Sequence, residues 1–215
     1  MKRLMVLAAV LGAAAGLFAA ERPDGIAVFG GSYSVVPGSH VVKDEWTKRF
    51  GLAVDSYGVG GNGFCPKFTA NGEETSIPAQ VRRMVKGGKR YALYVLWCST
   101  NDLNRPVDGQ NAGIRDCVKM IRAHQPDAKI VLFSSMPVIP SAQYYLNLAG
   151  LFVGQRETAK ELGLPFLDLY TTCGMTPENC GDCYTYDNLH MNDTGYARIR
   201  GVTTDFLATV LLGRE

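Results

Sequence analysis

Short apolar runs alternate along the chain with longer stretches whose apolar residues have helical spacing. The runs are bounded by glycine or turn residues and have the length of buried strands. They extend from Ile26 to Phe29, Ala53 to Tyr57, Ala92 to Trp97, Ile130 to Phe133 and Phe166 to Leu169. The helical stretches extend from Lys43 to Phe50, Pro78 to Val85, Ala112 to His124, Gln143 to Leu162 and Thr194 to Leu212. Parallel strands need crossover connections, so the alternation predicts an α/β fold with a parallel sheet covered by helices on both faces.

The first twenty residues have the pattern of a secretory signal peptide. Lys2 and Arg3 precede an apolar stretch from Leu4 to Phe18, and small residues follow up to Ala20. The apolar stretch is shorter than the ~20 residues that a membrane-spanning helix needs, so a membrane anchor is the weaker interpretation. We therefore expect an exported protein, periplasmic or secreted, with a signal peptide over residues 1–20, one domain over residues 21–215 and no stable membrane anchor.

Composition and charge fit a globular domain without a nucleic-acid partner. The chain is 47% hydrophobic and 20% charged, which excludes disorder as its main state. Its formal charge is +2, and removal of Lys2 and Arg3 leaves equal numbers of basic and acidic side chains. Nucleic acids and anionic membranes attract a clustered basic excess, and the processed chain has none overall. The sequence does not indicate an oligomeric state.

The six cysteines suggest two different roles. Cys117 lies on the apolar side of a predicted helix and Cys98 ends an apolar strand, so we expect both to be buried. The segment from Cys173 to Cys183 is rich in turn residues, and export permits disulfides, so we predict a bridge from Cys173 to Cys180 or Cys183. Cys180 and Cys183 also have CxxC spacing, which leaves a zinc site as an alternative that would need two further ligands.

Polar or glycine-rich segments follow three of the predicted strands. Gly31 and Ser32 follow the first, a glycine-rich stretch over residues 56–63 follows the second, and Asn101 and Asp102 follow the third. The carboxyl ends of parallel strands meet at one edge of a sheet, where ligands bind at the topological switch point. The alternatives are a helix N-cap for Ser32 and ordinary turn residues for Asn101 and Asp102. The motif GxxxxGK[ST] is absent, which disfavours a phosphate-binding loop of that type.

Asp187 and His190 form the most specific motif. A carboxylate three residues before an imidazole can hold one ring nitrogen while the other faces outward, as a general base requires. The alternative is a surface histidine with an aspartate nearby.

The four segments, in the order in which they follow one another along the chain, resemble the four sequence blocks of the SGNH hydrolases, also called GDSL esterases and lipases. Ser32 lies in GGS, Gly61 in SYGVGG, Asn101 in STND, and Asp187 and His190 in DNLH. The resemblance covers essentially the whole processed chain. It implies a flavodoxin-like three-layer α/β/α sandwich with a five-stranded parallel sheet.

The resemblance also implies a mechanism. Ser32 would be the nucleophile, His190 its base and Asp187 the group that orients His190. The oxyanion hole would consist of the backbone N–H groups of Ser32 and Gly61 and the side-chain amide of Asn101. No metal or organic cofactor is implied. The expected function is an exported serine esterase that hydrolyses carboxylic esters of small molecules or glycans through an acyl-enzyme, with acetyl groups on glycans as the expected substrate. The alternative is a non-catalytic glycan- or lipid-binding relative.

Three positions depart from the pattern of this family. Gly31 stands where the family usually has Asp, Ser56 where it often has Asn, and Ser99 where it often has Gly. None of these departures removes a group that takes part in the chemistry, and together they indicate a divergent subfamily.

Overall fold

The computed structural model describes residues 25–65, 68–136, 142–176, 179–185, 187 and 189–213. The signal peptide predicted over residues 1–20 and Asn188 of the fourth segment lie outside these residues. Within the described ranges, no helix is both long enough and apolar enough to cross a membrane.

The part of the chain that the structure describes contains seven strands, which form two sheets. They are Ile26–Gly30 (β1), Val54–Ser56 (β2), Thr69–Ala70 (β3), Glu73–Glu74 (β4), Leu93–Trp97 (β5), Ile130–Phe133 (β6) and Phe166–Leu167 (β7). The main sheet has the order β2-β1-β5-β6-β7, and every pair in it is parallel. This is the flavodoxin-like order, with its switch point between β1 and β5. The predicted five-stranded parallel sheet is confirmed, whereas the β3–β4 hairpin was not predicted.

Six α-helices among the described residues connect and cover the strands. They are His40–Phe50 (α1), Ile77–Lys86 (α2), Val107–His124 (α3), Ala142–Glu161 (α4), Leu169–Thr172 (α5) and Asp193–Leu212 (α6). The short helix α5 was not predicted, because Leu169 was assigned to the last strand. The Asp168 side chain accepts the Thr171 N–H at 2.9 Å and caps this helix, so β7 ends at Leu167, two residues before the predicted end at Leu169.

Alternate residues of the buried strands point into two separate cores. Val28 and Val95 pack on one face of the sheet with Trp46 of α1, and α6 completes this layer. Phe29 packs on the other face with Val81 of α2, and α3 joins that layer. Each central strand is therefore buried on both faces, which explains its continuous apolar sequence.

The predicted disulfide is wrong. All six cysteines lie among the described residues, none of them is disulfide-bonded, and no two lie at disulfide distance. Cys173, Cys180 and Cys183 pack as small apolar side chains in the core on the α1–α6 face. Burial raises the pKa of Cys173 and Cys183, so both thiols are protonated at neutral pH.

The other predictions about cysteine concern burial and metal binding. Cys98 and Cys117 are buried as predicted. Within the described ranges, no three His, Cys, Asp or Glu side chains are grouped so that they could hold a metal ion. Cys180 and Cys183 therefore have no further zinc ligands grouped with them there.

Candidate active site

Strand β1 leads directly to Ser32. The residues Ser32–Ser34 form a single 3₁₀ turn after Gly31, and α1 begins only at His40, so Ser32 does not cap a helix. The Ser32 hydroxyl makes no hydrogen bond to any described residue, whereas the buried Ser34 hydroxyl donates to the Gly31 carbonyl at 2.8 Å. Of the two serines in this turn, only Ser32 has an uncommitted hydroxyl.

The glycine-rich segment continues beside the end of β1. The Val59 N–H donates to the Gly30 carbonyl at 3.1 Å, which brings the next residues towards Ser32. Gly61 follows in a turn with φ +78°, a left-handed conformation that favours glycine. Gly61 is exposed, and its N–H has no acceptor among the described residues. The N–H predicted for the oxyanion hole is therefore available to a ligand.

Asn101 joins the second and third segments. Its side-chain nitrogen Nδ2 donates to the backbone carbonyl of Asn62 at 3.0 Å and to Ser99 Oγ at 2.7 Å. The two hydrogens of this amide are thus both held by protein acceptors. The contact fixes Asn101 beside the Gly61 turn, and neither Asn62 nor the hydroxyl of Ser99 was assigned a part in the site from sequence.

Asp102 is buried and holds two loops together. It is therefore more than the ordinary turn residue that the sequence left open as an alternative. Its carboxylate accepts the backbone N–H groups of Phe64 at 2.8 Å and Cys65 at 3.0 Å. Burial raises the pKa of Asp102, and the hydrogen bonds from these two backbone groups oppose the shift. Asp102 therefore ties the loop after β2 to the loop after β5, directly beside the segment that carries Gly61.

Asp187 and His190 have the geometry that their spacing predicts. His190 Nδ1 lies 2.6 Å from Asp187 Oδ2, and Asp187 Oδ1 accepts the Thr185 hydroxyl at 2.7 Å. Oδ1 also accepts the backbone N–H groups of Leu189 at 3.0 Å and His190 at 2.9 Å. Burial works to raise the pKa of Asp187, but these hydrogen bonds outweigh it and hold the pKa well below its usual value. Asp187 is therefore an ionised carboxylate that fixes the imidazole through Nδ1.

Tyr33 connects the first segment to the fourth. Its hydroxyl donates to the Leu189 carbonyl at 3.3 Å, and the centres of the Tyr33 and His190 rings are 6.1 Å apart. Burial raises the pKa of Tyr33, so its hydroxyl remains a donor at neutral pH. This contact brings the neighbours of Ser32 against the loop that holds His190, and no sequence signal pointed to it.

Ser32 and His190 are not hydrogen-bonded to each other in this structure. In hydrolases without substrate the nucleophile–base hydrogen bond is often long and tightens only in the substrate complex. The other two histidines have different partners: the ring of His40 contacts the Pro37 carbonyl, and His124 Nε2 lies 2.8 Å from the Lys89 carbonyl. His190 is thus the histidine that lies beside the first segment with a carboxylate partner.

A groove of ≈ 610 Å³ opens beside His190. It is lined by the segment from Val36 to Gly38, which follows the Ser32 turn, and by Thr185 and residues 190–194. A groove between these two segments offers room for one part of a small ligand next to the imidazole.

Sequence comparison identifies the family. The model of the GDSL-like Lipase/Acylhydrolase family matches residues 25–198, which include all of the predicted site residues. The chain therefore belongs to this family, in agreement with the resemblance to SGNH hydrolases. No curated protein sequence matches the chain.

Solved structures share the fold at low sequence identity. A carbohydrate acetylesterase family member from Sinorhizobium meliloti has 15% identity and a TM-score of 0.69, covering 87% of this chain and 99% of that one. The lipase/acylhydrolase from Enterococcus faecalis has 17% identity and a TM-score of 0.65, covering 85% and 94%. Est24, a carbohydrate acetylesterase from Sinorhizobium meliloti, has 13% identity and a TM-score of 0.66, covering 86% and 99%. At these identities the likeness establishes the fold.

Proposed function

We propose that the protein is a serine esterase that hydrolyses carboxylic esters through an acyl-enzyme. The observation that carries the proposal is the 2.6 Å contact between His190 Nδ1 and Asp187 Oδ2, on a loop that Tyr33 holds against the Ser32 turn. A fixed imidazole, on a loop packed against the turn that carries an uncommitted serine hydroxyl, fits the arrangement that activates a serine nucleophile. A ligand-binding protein would gain nothing from it.

In the first half-reaction, Ser32 Oγ attacks the ester carbonyl carbon while His190 Nε2 takes the hydroxyl proton. Asp187 stabilises the resulting imidazolium. The tetrahedral oxyanion accepts hydrogen bonds from the N–H groups of Ser32 and Gly61 and from the side-chain amide of Asn101. Collapse breaks the bond to the alcohol, which leaves with the proton from His190. In the second half-reaction His190 takes a proton from a water molecule, which attacks the acyl-serine. Collapse returns the proton to Ser32 Oγ and releases the carboxylic acid.

We propose acetyl groups on glycans as the substrate. Support comes from two structural neighbours, which are described as carbohydrate acetylesterases. The groove beside His190, lined by Val36 to Gly38 and by Thr185, would take part of the sugar that carries the acetyl group. A comparison of acetate release from acetylated oligosaccharides with hydrolysis of long-chain p-nitrophenyl esters tests this preference. Faster cleavage of the long-chain esters would contradict it.

Export is the second part of the proposal, and it rests on the pattern of residues 1–20. Expression of the full chain with a C-terminal tag in a bacterial host, followed by mass measurement of the product, tests it. Recovery of the intact chain from the cytoplasm would contradict it.

Turnover of p-nitrophenyl acetate by the purified protein tests the esterase proposal. Ser32→Ala and His190→Ala should each abolish hydrolysis. Ser34→Ala is the matched control, because it removes a hydroxyl from the same turn that is already committed to the Gly31 carbonyl. A fluorophosphonate probe should label Ser32 in peptide mapping. Wild-type protein that neither turns over the ester nor takes the label, yet binds glycan or lipid, would favour the non-catalytic alternative.

A further inference from the structure

Two positions at which the chain departs from its family pattern lie against each other. A Cβ atom on Gly31 would lie 2.6 Å from Ser99 Oγ and 3.0 Å from Ser99 Cβ. Any side chain at position 31 would therefore displace the hydroxyl of Ser99. The same Cβ atom would lie 2.4 Å from the Asn62 carbonyl oxygen, so glycine at position 31 makes room for both the Asn62 carbonyl and the Ser99 hydroxyl.

The Ser99 hydroxyl is directed at Asn101. Its oxygen accepts the Asn101 backbone N–H at 3.1 Å and one hydrogen of the Asn101 side-chain amide at 2.7 Å. Ser99 is completely buried, so no solvent competes for these hydrogen bonds. The other amide hydrogen is held by the Asn62 carbonyl. The side chain of Asn101 is thus fixed at both hydrogens before any ligand arrives.

We propose that Ser99 is a positioning residue for Asn101, an inference that rests on the proposed function. The Ser99 hydroxyl holds the Asn101 amide in the orientation used in the reaction. As negative charge develops on the oxyanion, one amide hydrogen that Ser99 had accepted is donated to the oxyanion instead. The exchange runs in this direction because an anionic oxygen is a stronger acceptor than a neutral hydroxyl oxygen. Ser99 still accepts the backbone N–H of Asn101 afterwards, so the turn keeps its shape. The amide therefore starts from one fixed orientation and exchanges only one acceptor in the transition state, which keeps the reorganisation of this donor small.

Ser99→Ala tests the proposal by removing the acceptor while retaining Cβ. The expected result is about a tenfold lower kcat with KM unchanged, a smaller loss than the ~10²- to 10³-fold typical of a missing oxyanion donor. Ser76→Ala is the matched control, because Ser76 is also fully buried and also accepts a backbone N–H at a helix start, from Ala79 at 3.4 Å. It should lower the melting temperature and leave kcat unchanged.

A double mutant separates positioning from a purely structural role. Once Asn101→Ala has removed the amide, Ser99→Ala should cause no further loss of kcat. A second, additive loss, or an unchanged or higher kcat in Ser99→Ala alone, would overturn the proposal.

A readout without substrate keeps this test independent of the esterase proposal. The side-chain N–H signals of Asn101, assigned by their loss in Asn101→Ala, should shift and exchange faster with solvent in Ser99→Ala. If the wild-type protein hydrolyses no ester but these signals respond, the function fails and the contact stands. If the signals are unchanged in Ser99→Ala, Ser99 does not position Asn101.

Discussion

Gly63 lies directly against the carboxylate of Asp102. A Cβ atom on Gly63 would lie 2.4 Å from both Asp102 oxygens, a separation that real Cβ atoms essentially never have. The same oxygens accept the backbone N–H groups of Phe64 and Cys65. The loops that carry two of the three predicted oxyanion donors, Gly61 and Asn101, therefore meet in a close backbone-to-carboxylate contact that only glycine permits.

Gly63→Ala should destabilise the protein and lower its activity. The added methyl group must push Asp102 away or displace the loop, and overpacking of this kind costs ~1–3 kcal/mol. Thermal unfolding and p-nitrophenyl acetate hydrolysis measure the two effects. Gly60→Ala is the control for stability, because a Cβ there meets no atom within 4 Å. Equal melting temperatures for the two variants would contradict the close contact.

The hydrogen bonds to Asp187 make stability depend on pH in the acid range. Because the pKa of Asp187 is lowered in the folded state, ionised Asp187 stabilises the fold above its usual pKa of about 4, and this contribution is lost as the pH falls. The difference in melting temperature between wild type and Asp187→Asn should therefore be large at pH 5 and shrink towards pH 2.5. The other acidic groups titrate alike in wild type and Asp187→Asn, so they do not contribute to the change in this difference. A constant difference over this range would show that the hydrogen bonds do not favour the charged form.

Tyr33→Phe tests the contact between the first and fourth segments. It removes the donor to the Leu189 carbonyl, a hydrogen bond of ~1 kcal/mol, and frees the loop that holds His190. We expect a kcat reduced about fivefold, the factor to which that energy corresponds. Tyr94→Phe is the matched control, since its buried hydroxyl donates to Gln125 at 2.7 Å rather than to the site. It should reduce stability without changing kcat, and the same kcat for both variants would argue against the role of Tyr33.

The sheet and its main helices could be predicted because their signals are local. Continuous apolar runs mark β1, β5 and β6, which are buried throughout, whereas the edge strand β2 was predicted to be buried but is only half-buried, with Ser56 exposed. The end of the last strand was misplaced because the cap made by Asp168 overrides the apolar pattern at Leu169. The disulfide was wrong because the turn-rich sequence around Cys173 indicates a loop but not where its side chains point: Cys173 packs in the core, and no two cysteines lie at disulfide distance.

The candidate site could be predicted only where its contacts are short in sequence. Asp187 and His190 are three residues apart, so their spacing alone indicates the contact. Asn101 and Asn62 are 39 residues apart, and Tyr33 and Leu189 are 156 apart. Contacts across such separations depend on how loops from different strands pack, and a single sequence gives no signal for them. The roles of the predicted catalytic residues remain predictions.

The contacts of Asn101 determine what each of its substitutions should do. Asn101→Ala removes one oxyanion donor and should cost ~3 to 4 kcal/mol of transition-state stabilisation. Asn101→Asp should lower kcat further, because it directs a negative charge at developing negative charge. In the wild-type protein the Asn62 carbonyl accepts a hydrogen bond from the Asn101 amide at 3.0 Å. Asn101→Asp sets an oxygen against this carbonyl in place of the donor, so Asp should reduce the melting temperature more than Ala.

Asn101→Asp decides between the oxyanion role and a role in the turn alone. A residue that only forms the turn Thr100–Asn104 would tolerate Asp, since Asp suits turns almost as well as Asn. An oxyanion donor acts only in the transition state, so its loss should lower kcat and kcat/KM equally and leave KM unchanged. Steady-state kinetics of wild type, Asn101→Ala and Asn101→Asp, with thermal unfolding of each, measure both effects. Near wild-type kcat in Asn101→Asp would refute the oxyanion role, and with it the reason for a buried hydroxyl at Ser99.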